Sequence, residues 1–321
     1  MKFTGIIILN YNNTLDTFDC VKSIKQFNTS PVKFIIVDNG SVEDDTGKKL
    51  KSFCETEFGT DFQMVADSSE VTEGKLPTCT LVLSPTNDGY ARGNNKGLAV
   101  TYKDEEISNV VIINNDILFE SDILPGLLSR YETLDSPGIL TPLLRNMKKL
   151  EYNCARRFPD YLDIVLPFLL FNRNYKSIIS DHYRSQMILL TEPEYIEKDS
   201  FRIDVPSGSF IFIDKDLFKS VEGFEPDTFL YFEEVILCRR LERLKRKNYC
   251  VPSLSAFHKG AKTTSKAGDV FLQKCNLESA DVYFKKECDL TLPQKALWGI
   301  VKVMWRFKFL VKRKELRSFF E

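Results

Sequence analysis

The side chains that could do chemistry stand in short polar clusters, each directly beside an apolar run. Asp38 closes Lys33-Phe34-Ile35-Ile36-Val37 and leads into Asn39-Gly40-Ser41, so a carboxylate falls at a strand end next to a turn that lets backbone approach a ligand. A carboxylate placed there can accept hydrogen bonds from a nucleobase or a ribose, and the same residues also make an ordinary β-turn. Val110-Val111-Ile112-Ile113 leads into Asn114-Asn115-Asp116. An acid at the mouth of a central strand can hold a hard cation such as Mg²⁺ or Mn²⁺, which completes its shell with water and phosphate oxygens. The plainer reading is an aspartate that caps the next turn.

Three further clusters lie in the second half. Ser207-Gly208-Ser209 precedes Phe210-Ile211-Phe212-Ile213, small residues at a strand entrance that admit a close backbone approach or form a bulge. Phe229-Leu230-Tyr231-Phe232-Glu233-Glu234 opens a helical run. Acids in a first turn complement the helix dipole, whereas a carboxylate among aromatics can have a raised pKa suited to general-base work. His258 follows Leu254-Ser255-Ala256-Phe257 at another strand end, where an imidazole can ligate a metal or simply be a satisfied polar group. His182, inside a charged stretch, is assigned to the latter.

These clusters need a scaffold that gathers strand ends. Phe3–Leu9, Lys33–Asp38, Thr80–Leu83 and Val110–Asn114 read as strands buried on both faces. Leu15, Phe18, Val21, Ile24 and Phe27 recur at helical spacing, and Ala91–Tyr102 reads as a second crossover helix. Strands alternating with helices predict a mostly parallel, doubly wound α/β sheet, whose ligands bind beyond the carboxyl ends of the strands. Those ends carry Asn10-Tyr11-Asn12, Asp38-Asn39-Gly40-Ser41, Asn87-Asp88-Gly89 and Asn114-Asn115-Asp116. Gly59–Pro77 reads as a surface excursion. Beyond Asp116 the expected order is a helix around Ile123–Tyr131, a mixed region to about residue 200, strand Phe210–Ile213, helix Glu234–Lys247, and strands near Tyr249–Val251 and Leu254–Phe257.

At 321 residues and 43% hydrophobic, the chain is long enough for a large core and is neither fibrous nor wholly disordered. Its net charge of −1 gives no global argument for nucleic acid as a partner. The charge is uneven, however: Lys295–Glu321 has a surplus of basic residues, which suggests a tail that meets an anionic surface. The eight cysteines are scattered without a CxxC pair and read as reduced thiols. Gly5-Ile6-Ile7-Ile8-Leu9 lacks the features of a signal peptide, and no apolar run reaches the roughly 20 residues of a membrane span. A cytoplasmic protein is expected, with a peripheral place at the inner membrane face if the tail binds there.

Taken in order, the clusters resemble the family 2 glycosyltransferases of bacterial polysaccharide synthesis, in particular the rhamnosyltransferase-like branch with a GT-A fold. The resemblance rests on Ile6–Asn12, Ile35–Ser41, Asn87–Gly97, Ile112–Asp116, Pro206–Ser209, Gly223-Phe224, Phe229–Glu234 and His258-Lys259-Gly260. It implies inverting transfer of one sugar from a nucleotide-diphosphate donor, UDP- or dTDP-linked, to a glycan acceptor, lipid-linked, in capsule or O-antigen synthesis. Asp38 would contact the nucleobase, with Asn10, Tyr11, Asn12, Asn87, Asn94 and Asn115 around the nucleotide-sugar. Asp116 would bind Mn²⁺ or Mg²⁺ with His258 as a further ligand or a diphosphate contact, the ion neutralising the leaving diphosphate. Glu233 and Glu234 fall at the family's Glu-Asp pair, which makes Glu234 the base for the acceptor hydroxyl.

The chain departs from the family where Glu234 replaces an aspartate and where Ile236 replaces an acid commonly found two residues further on. Those departures motivate a second class of function, a non-catalytic nucleotide-sugar-binding or scaffolding protein. The resemblance divides the chain into residues 1–116 (nucleotide half), 117–260 (acceptor half) and 261–321, a helical C-terminal extension. In that extension Lys295, Lys302, Arg306, Arg313 and Arg317 line one side of a helix, with Trp298 and Trp305 on other faces. Two readings stand for it: an interfacial helix on an anionic leaflet, or a helix docked on the body with a solvated basic edge.

Overall fold

The computed structural model describes residues 2–43, 45–146, 155–170, 195, 197–260 and 269–312. The first half is a run of crossovers: β1 (Phe3–Asn10), α1 (Thr14–Phe27), β2 (Val32–Asn39), α2 (Thr46–Phe58), β3 (Phe62–Val65), β4 (Cys79–Ser84), α3 (Gly89–Thr101) and β5 (Ile107–Asn114). Then follow β6 (Ile117–Phe119), α4 (Leu124–Thr133), β7 (Pro137–Arg145), α5 (Tyr161–Leu169), β8 (Phe201–Ile203), β9 (Phe210–Asp214), α6 (Lys215–Ser220), α7 (Glu233–Arg243), β10 (Lys247–His258), α8 (Asp269–Glu287) and α9 (Leu292–Val311).

Among the described residues the strands form one ten-stranded sheet in the order β3-β4-β2-β1-β5-β9-β7-β10-β6, with β8 on β10. The block β3-β4-β2-β1-β5 is parallel throughout, and β9 runs antiparallel between β5 and β7. The aliphatic runs are buried on both faces because alternate side chains serve different cores. Ile7, Ile35, Val37, Val110 and Ile112 face one, and Ile6, Ile8, Phe34, Ile36, Val111 and Ile113 face the other. Each such side chain, taken fully out of water, contributes about 1.5–3 kcal/mol. The first core continues through α7 and α8 into Trp298, Val301, Trp305 and Phe309 of α9, so the C-terminal helices share the core of the sheet.

The structure corrects several sequence expectations. Gly59–Pro77 is not a bare excursion, because Phe62–Val65 adds an edge strand parallel to β4. The strands expected at Tyr249–Val251 and Leu254–Phe257 are one strand, β10, with a register shift between Val251 and Ser255 at Pro252, which has no N–H to donate. Helix α7 starts at Glu233 and ends at Arg243 rather than reaching Lys247.

The tail helix docks on the body over its described length. Trp298 and Trp305 are buried, Trp298 Nε1 donating to Asp281 Oδ1 at 2.8 Å and Trp305 Nε1 to the Phe168 carbonyl at 2.9 Å. Both tryptophans thus face the body, as in the docked reading of this helix. Lys302 of the basic stripe pairs with Asp281 at 2.6 Å, while Arg313, Arg317 and His182 lie outside the described residues. No helix among the described residues is long and apolar enough to cross a membrane.

Candidate active site at the carboxyl edge of the sheet

The parallel strands end level with one another. Asn10 pairs in register with Asp38, Leu9 with Asn114 and Asn39 with Ser84, so the polar clusters of β1, β2, β4 and β5 reach one edge. Antiparallel β9 begins there, with Asn114 N–H donating to the Ser209 carbonyl at 3.1 Å, which brings Ser207-Gly208-Ser209 to the same place.

The ends of β1 and β2 are built around Asp38, which is buried. Its Oδ1 accepts from Asn10 Nδ2 at 2.8 Å and from Ser41 Oγ at 2.5 Å, while Asn10 Oδ1 accepts from Thr17 Oγ1 at 2.9 Å. Asn10 is thereby fully enclosed and acts by fixing the carboxylate. Asn12 sits at φ 52, and its Oδ1 accepts from the N–H groups of Val42 and Glu43 at 2.8 and 3.1 Å, shaping the loop after Asp38. Tyr11 is half-buried between them. Gly40 has φ +66 and a Cβ there would lie 2.2 Å from the Thr86 backbone carbon, so only glycine closes this turn.

The Asn87–Gly89 turn connects the two halves. Asn87 Oδ1 accepts from Asn39 Nδ2 at 2.9 Å and from Gly89 N–H at 3.0 Å, and Tyr90 N–H donates to the Phe229 carbonyl at 2.8 Å. Asn94 does not reach this mouth: it is fully enclosed, with Nδ2 donating to the Tyr90 carbonyl at 2.9 Å. Sequence reading passed over the next residue, Asn95, which clamps Phe224 by bonds to its carbonyl and from its N–H at 2.8 and 2.9 Å. The adjacent Gly223-Phe224 pair was the available signal.

At the end of β5, Asn115 Nδ2 donates to the Asn13 carbonyl at 3.0 Å and to Thr17 Oγ1 at 3.1 Å. Asp116 and His258 meet across the sheet, His258 Nε2 lying 3.1 Å from Asp116 Oδ1. The pairing of β10 with β6 sets this contact, since His258 stands opposite Ile117 and Lys259 N–H donates to the Asp116 carbonyl at 3.0 Å. Lys259, which sequence reading left without a role, reaches Asp16 at 2.7 Å and Asp19 at 2.6 Å and ties this end to α1. An imidazole beside a carboxylate is a donor pair that suits Mn²⁺, with further positions left for phosphate oxygens and water. Among the described residues no group of three or more His, Cys, Asp or Glu side chains converges as a metal cage, so an ion here would depend on oxygens brought by its ligand.

The two glutamates stand at the start of α7. Tyr231 and Phe232 carry φ 77 and 68, left-handed values that cost aromatic residues backbone strain and present the following acids at the helix N-terminus. Glu233 is buried, and its Oε1 lacks a hydrogen-bond partner. Burial, reinforced by the neighbouring Glu234 charge, pushes its carboxyl up to about 8. Glu234 is the more open of the two and its Oε1 accepts from Arg156 Nη2 at 2.5 Å. The same Nη2 donates to the Pro206 carbonyl at 2.9 Å. Tyr90, whose hydroxyl donates to the Gly208 carbonyl at 2.5 Å, is held well above the usual phenol range by burial and by both glutamates. Arg156 was not foreseen; its only signal was the Arg156-Arg157 pair ahead of Phe158-Pro159.

The scaffold agrees with what the chain is similar to. The sequence profile of Glycosyl transferase family 2 matches residues 5–191, and the chain belongs to that family. Glu233, Glu234 and His258 lie beyond the matched segment. Rhamnosyltransferase WbbL of Escherichia coli K12 is 26% identical over 175 residues, 53% of this chain and 61% of that protein. An N-acetylglucosaminyl-diphospho-decaprenol L-rhamnosyltransferase of Mycobacterium tuberculosis is 24% identical over 158 residues, 49% of this chain and 48% of the relative. The chain thus spans only about half to three fifths of these relatives.

Two solved structures share the fold at low identity. GalNAc-T7 with UDP, GalNAc and Mn²⁺ superposes with a TM-score of 0.60 at 12% identity, over 89% of this chain and 49% of that one. The mannosyltransferase PcManGT of Pyrobaculum calidifontis, in complex with GDP-Man and Mn²⁺, gives 0.54 at 13%, over 94% and 69%. The fold is therefore that of the GT-A glycosyltransferases, as the sequence clusters implied.

Proposed function

We propose that the protein is an inverting glycosyltransferase that moves one sugar from a UDP- or dTDP-linked donor to a lipid-linked glycan, at the cytosolic face of a bacterial membrane, in cell-surface polysaccharide synthesis. The observation that carries this reading is the gathering of three groups: the Asn10–Ser41-held Asp38 and the Asp116–His258 pair at the carboxyl edge of the sheet, and Glu234, which Arg156 links to Pro206 at the entrance of β9. Asp38 binds the base or ribose. Glu234 takes the proton of the acceptor hydroxyl, and Arg156 keeps its carboxylate aimed. Asp116 and His258 would hold the divalent ion, which when bound neutralises charge on the departing diphosphate. The resident nucleotides and Mn²⁺ of GalNAc-T7 and PcManGT and the rhamnosyl transfer named for the bacterial relatives support the donor class. We assign residues 1–116 to donor binding and 117–260 to the acceptor.

The test is release of nucleoside diphosphate from a panel of UDP-, dTDP- and GDP-sugars with Mn²⁺ and a lipid-diphosphate-linked saccharide. Donor-specific thermal stabilisation together with diphosphate release supports the enzyme. Stabilisation by a nucleotide-sugar without release across the acceptor panel favours the binding or scaffolding alternative.

A further inference from the structure

Helix α9 buries Trp298, Val301, Trp305 and Phe309 against the body, which fixes what its opposite face presents. Ile300, Val303, Phe307, Leu310 and Val311 are each more than half exposed. The first four follow one another at three, four and three residues, so they form one continuous apolar stripe along the outer side. From Leu292 to Lys312 the chain has five basic residues and no acidic one. At 3.6 residues per turn, the exposed Lys295 and Arg306 border the stripe on one edge, while Lys302 and Lys308 reach back to Asp281 and Gln273 of α8. An apolar face of this kind beside a basic edge, on a helix with no acid, has the composition of a helix lying in a lipid interface.

We propose that this outer face of α9 seats the protein on an anionic lipid bilayer, with Ile300, Val303, Phe307 and Leu310 entering the boundary between headgroups and acyl chains. The inserted face is the opposite of the one that carries the tryptophans. The exposed charges decide between a bilayer and a second copy of the chain. An antiparallel pairing of two such faces would set Lys295 and Arg306 of one helix against those of the other, with no acid in α9 to offset them, whereas anionic headgroups supply an opposite charge. The helix is also linked through α5 to the candidate active site. Tyr161 Oη of α5 donates to the Gln294 carbonyl of α9 at 2.8 Å, and α5 begins five residues after Arg156. The proposal stands on the helix alone and does not require the acceptor assigned above.

The test is flotation of the full chain with phosphatidylcholine vesicles with and without phosphatidylglycerol, comparing wild type with Val303→Glu/Phe307→Glu and with Lys295→Ser/Arg306→Ser. Wild type should float with the anionic vesicles and bind less as salt rises. The double glutamate variant should bind about tenfold or more weakly, and the serine variant should lose preference for phosphatidylglycerol. Both sites are exposed, so unfolding temperatures should match wild type; Phe307→Ser serves as a milder variant if they do not. Absence of wild-type flotation overturns the proposal, as does equal flotation of the glutamate variant. A wild-type dimer in light scattering that Phe307→Glu or Phe307→Ser converts to monomer would assign the face to a second copy and likewise overturn it.

Discussion

Arg156 and Glu234 lie 78 positions apart and meet through a 2.5 Å hydrogen bond at the start of α7, where the guanidinium also holds the Pro206 carbonyl. This contact separates the roles of two adjacent acids. Glu234 has a cationic partner that holds its carboxylate in a well-defined orientation. Glu233, one residue earlier, is enclosed without such a partner and keeps its proton to about pH 8. A carboxylate that is aimed and open can act as a base, whereas an enclosed carboxylic acid cannot reach the acceptor proton.

Glu234→Gln should therefore lower transfer by about 10²–10⁴-fold, the range for loss of a general base, while leaving donor-induced thermal stabilisation unchanged. Arg156→Ala should lower transfer with the donor response intact, and Arg156→Lys should restore part of it. Initial rates and thermal shifts on the same preparations check both. Normal turnover in Glu234→Gln with none in Glu233→Gln would reverse the assignment.

How much of this arrangement was legible in the sequence depended on the range of the interaction. The strands around Ile6–Ile8, Ile35–Val37 and Val110–Ile113 announce themselves because burial on both faces demands unbroken aliphatic runs. Asp38, Asp116 and His258 were legible because each ends such a run. Strand Phe62–Val65 was not, since a short, half-exposed edge strand needs no such run. Arg156 was invisible for a different reason: its meaning is set by a partner 78 residues away, in a stretch with no periodicity. In α9 the spacing separated the tryptophans from the exposed Lys295 and Arg306, but not from Lys302, which shares Asp281 with Trp298. Which face turned inward was decided by Phe168, Asp281 and Phe284, whose positions no local pattern encodes.

Asp116 and His258 offer two donors, so affinity for the donor substrate should depend on divalent metal. Asp116→Ala should abolish the increase in nucleotide-sugar affinity that Mn²⁺ produces, because adjacent phosphates are costly to bring beside carboxylates without a cation. His258→Ala should weaken the effect. Calorimetry of each variant with and without Mn²⁺ measures this directly, and an unchanged metal response in Asp116→Ala would remove that residue from the site.

Glu233 makes stability depend on pH in a definite direction. The folded protein retains a proton that the unfolded chain gives up near the ordinary value of 4.5, so between about pH 4.5 and 8 the folded state binds more protons. Stability contributed by this group is then lost as pH rises through that window. Glu233→Gln, which cannot ionise, should flatten the fall in unfolding temperature from pH 5 to 8 and leave the protein more stable than wild type at pH 8. Parallel slopes for the two proteins would show that Glu233 does not hold the proton.

Gly89 bears on how the two halves are held together. Its φ is +80, and a Cβ built there would lie 2.3 Å from the Phe229 carbonyl oxygen, which accepts the Tyr90 N–H bond at 2.8 Å. Gly89→Ala therefore meets both a strained backbone and a clash with main chain that no rotamer change relieves. The cost should be about 1–3 kcal/mol, read as a lower unfolding temperature. The displaced segment carries Tyr231 and Phe232 directly ahead of the glutamates, so transfer should fall more steeply than donor affinity. An alanine variant with wild-type stability and turnover would mean that the Asn87–Gly89 turn and the Phe229 loop move independently.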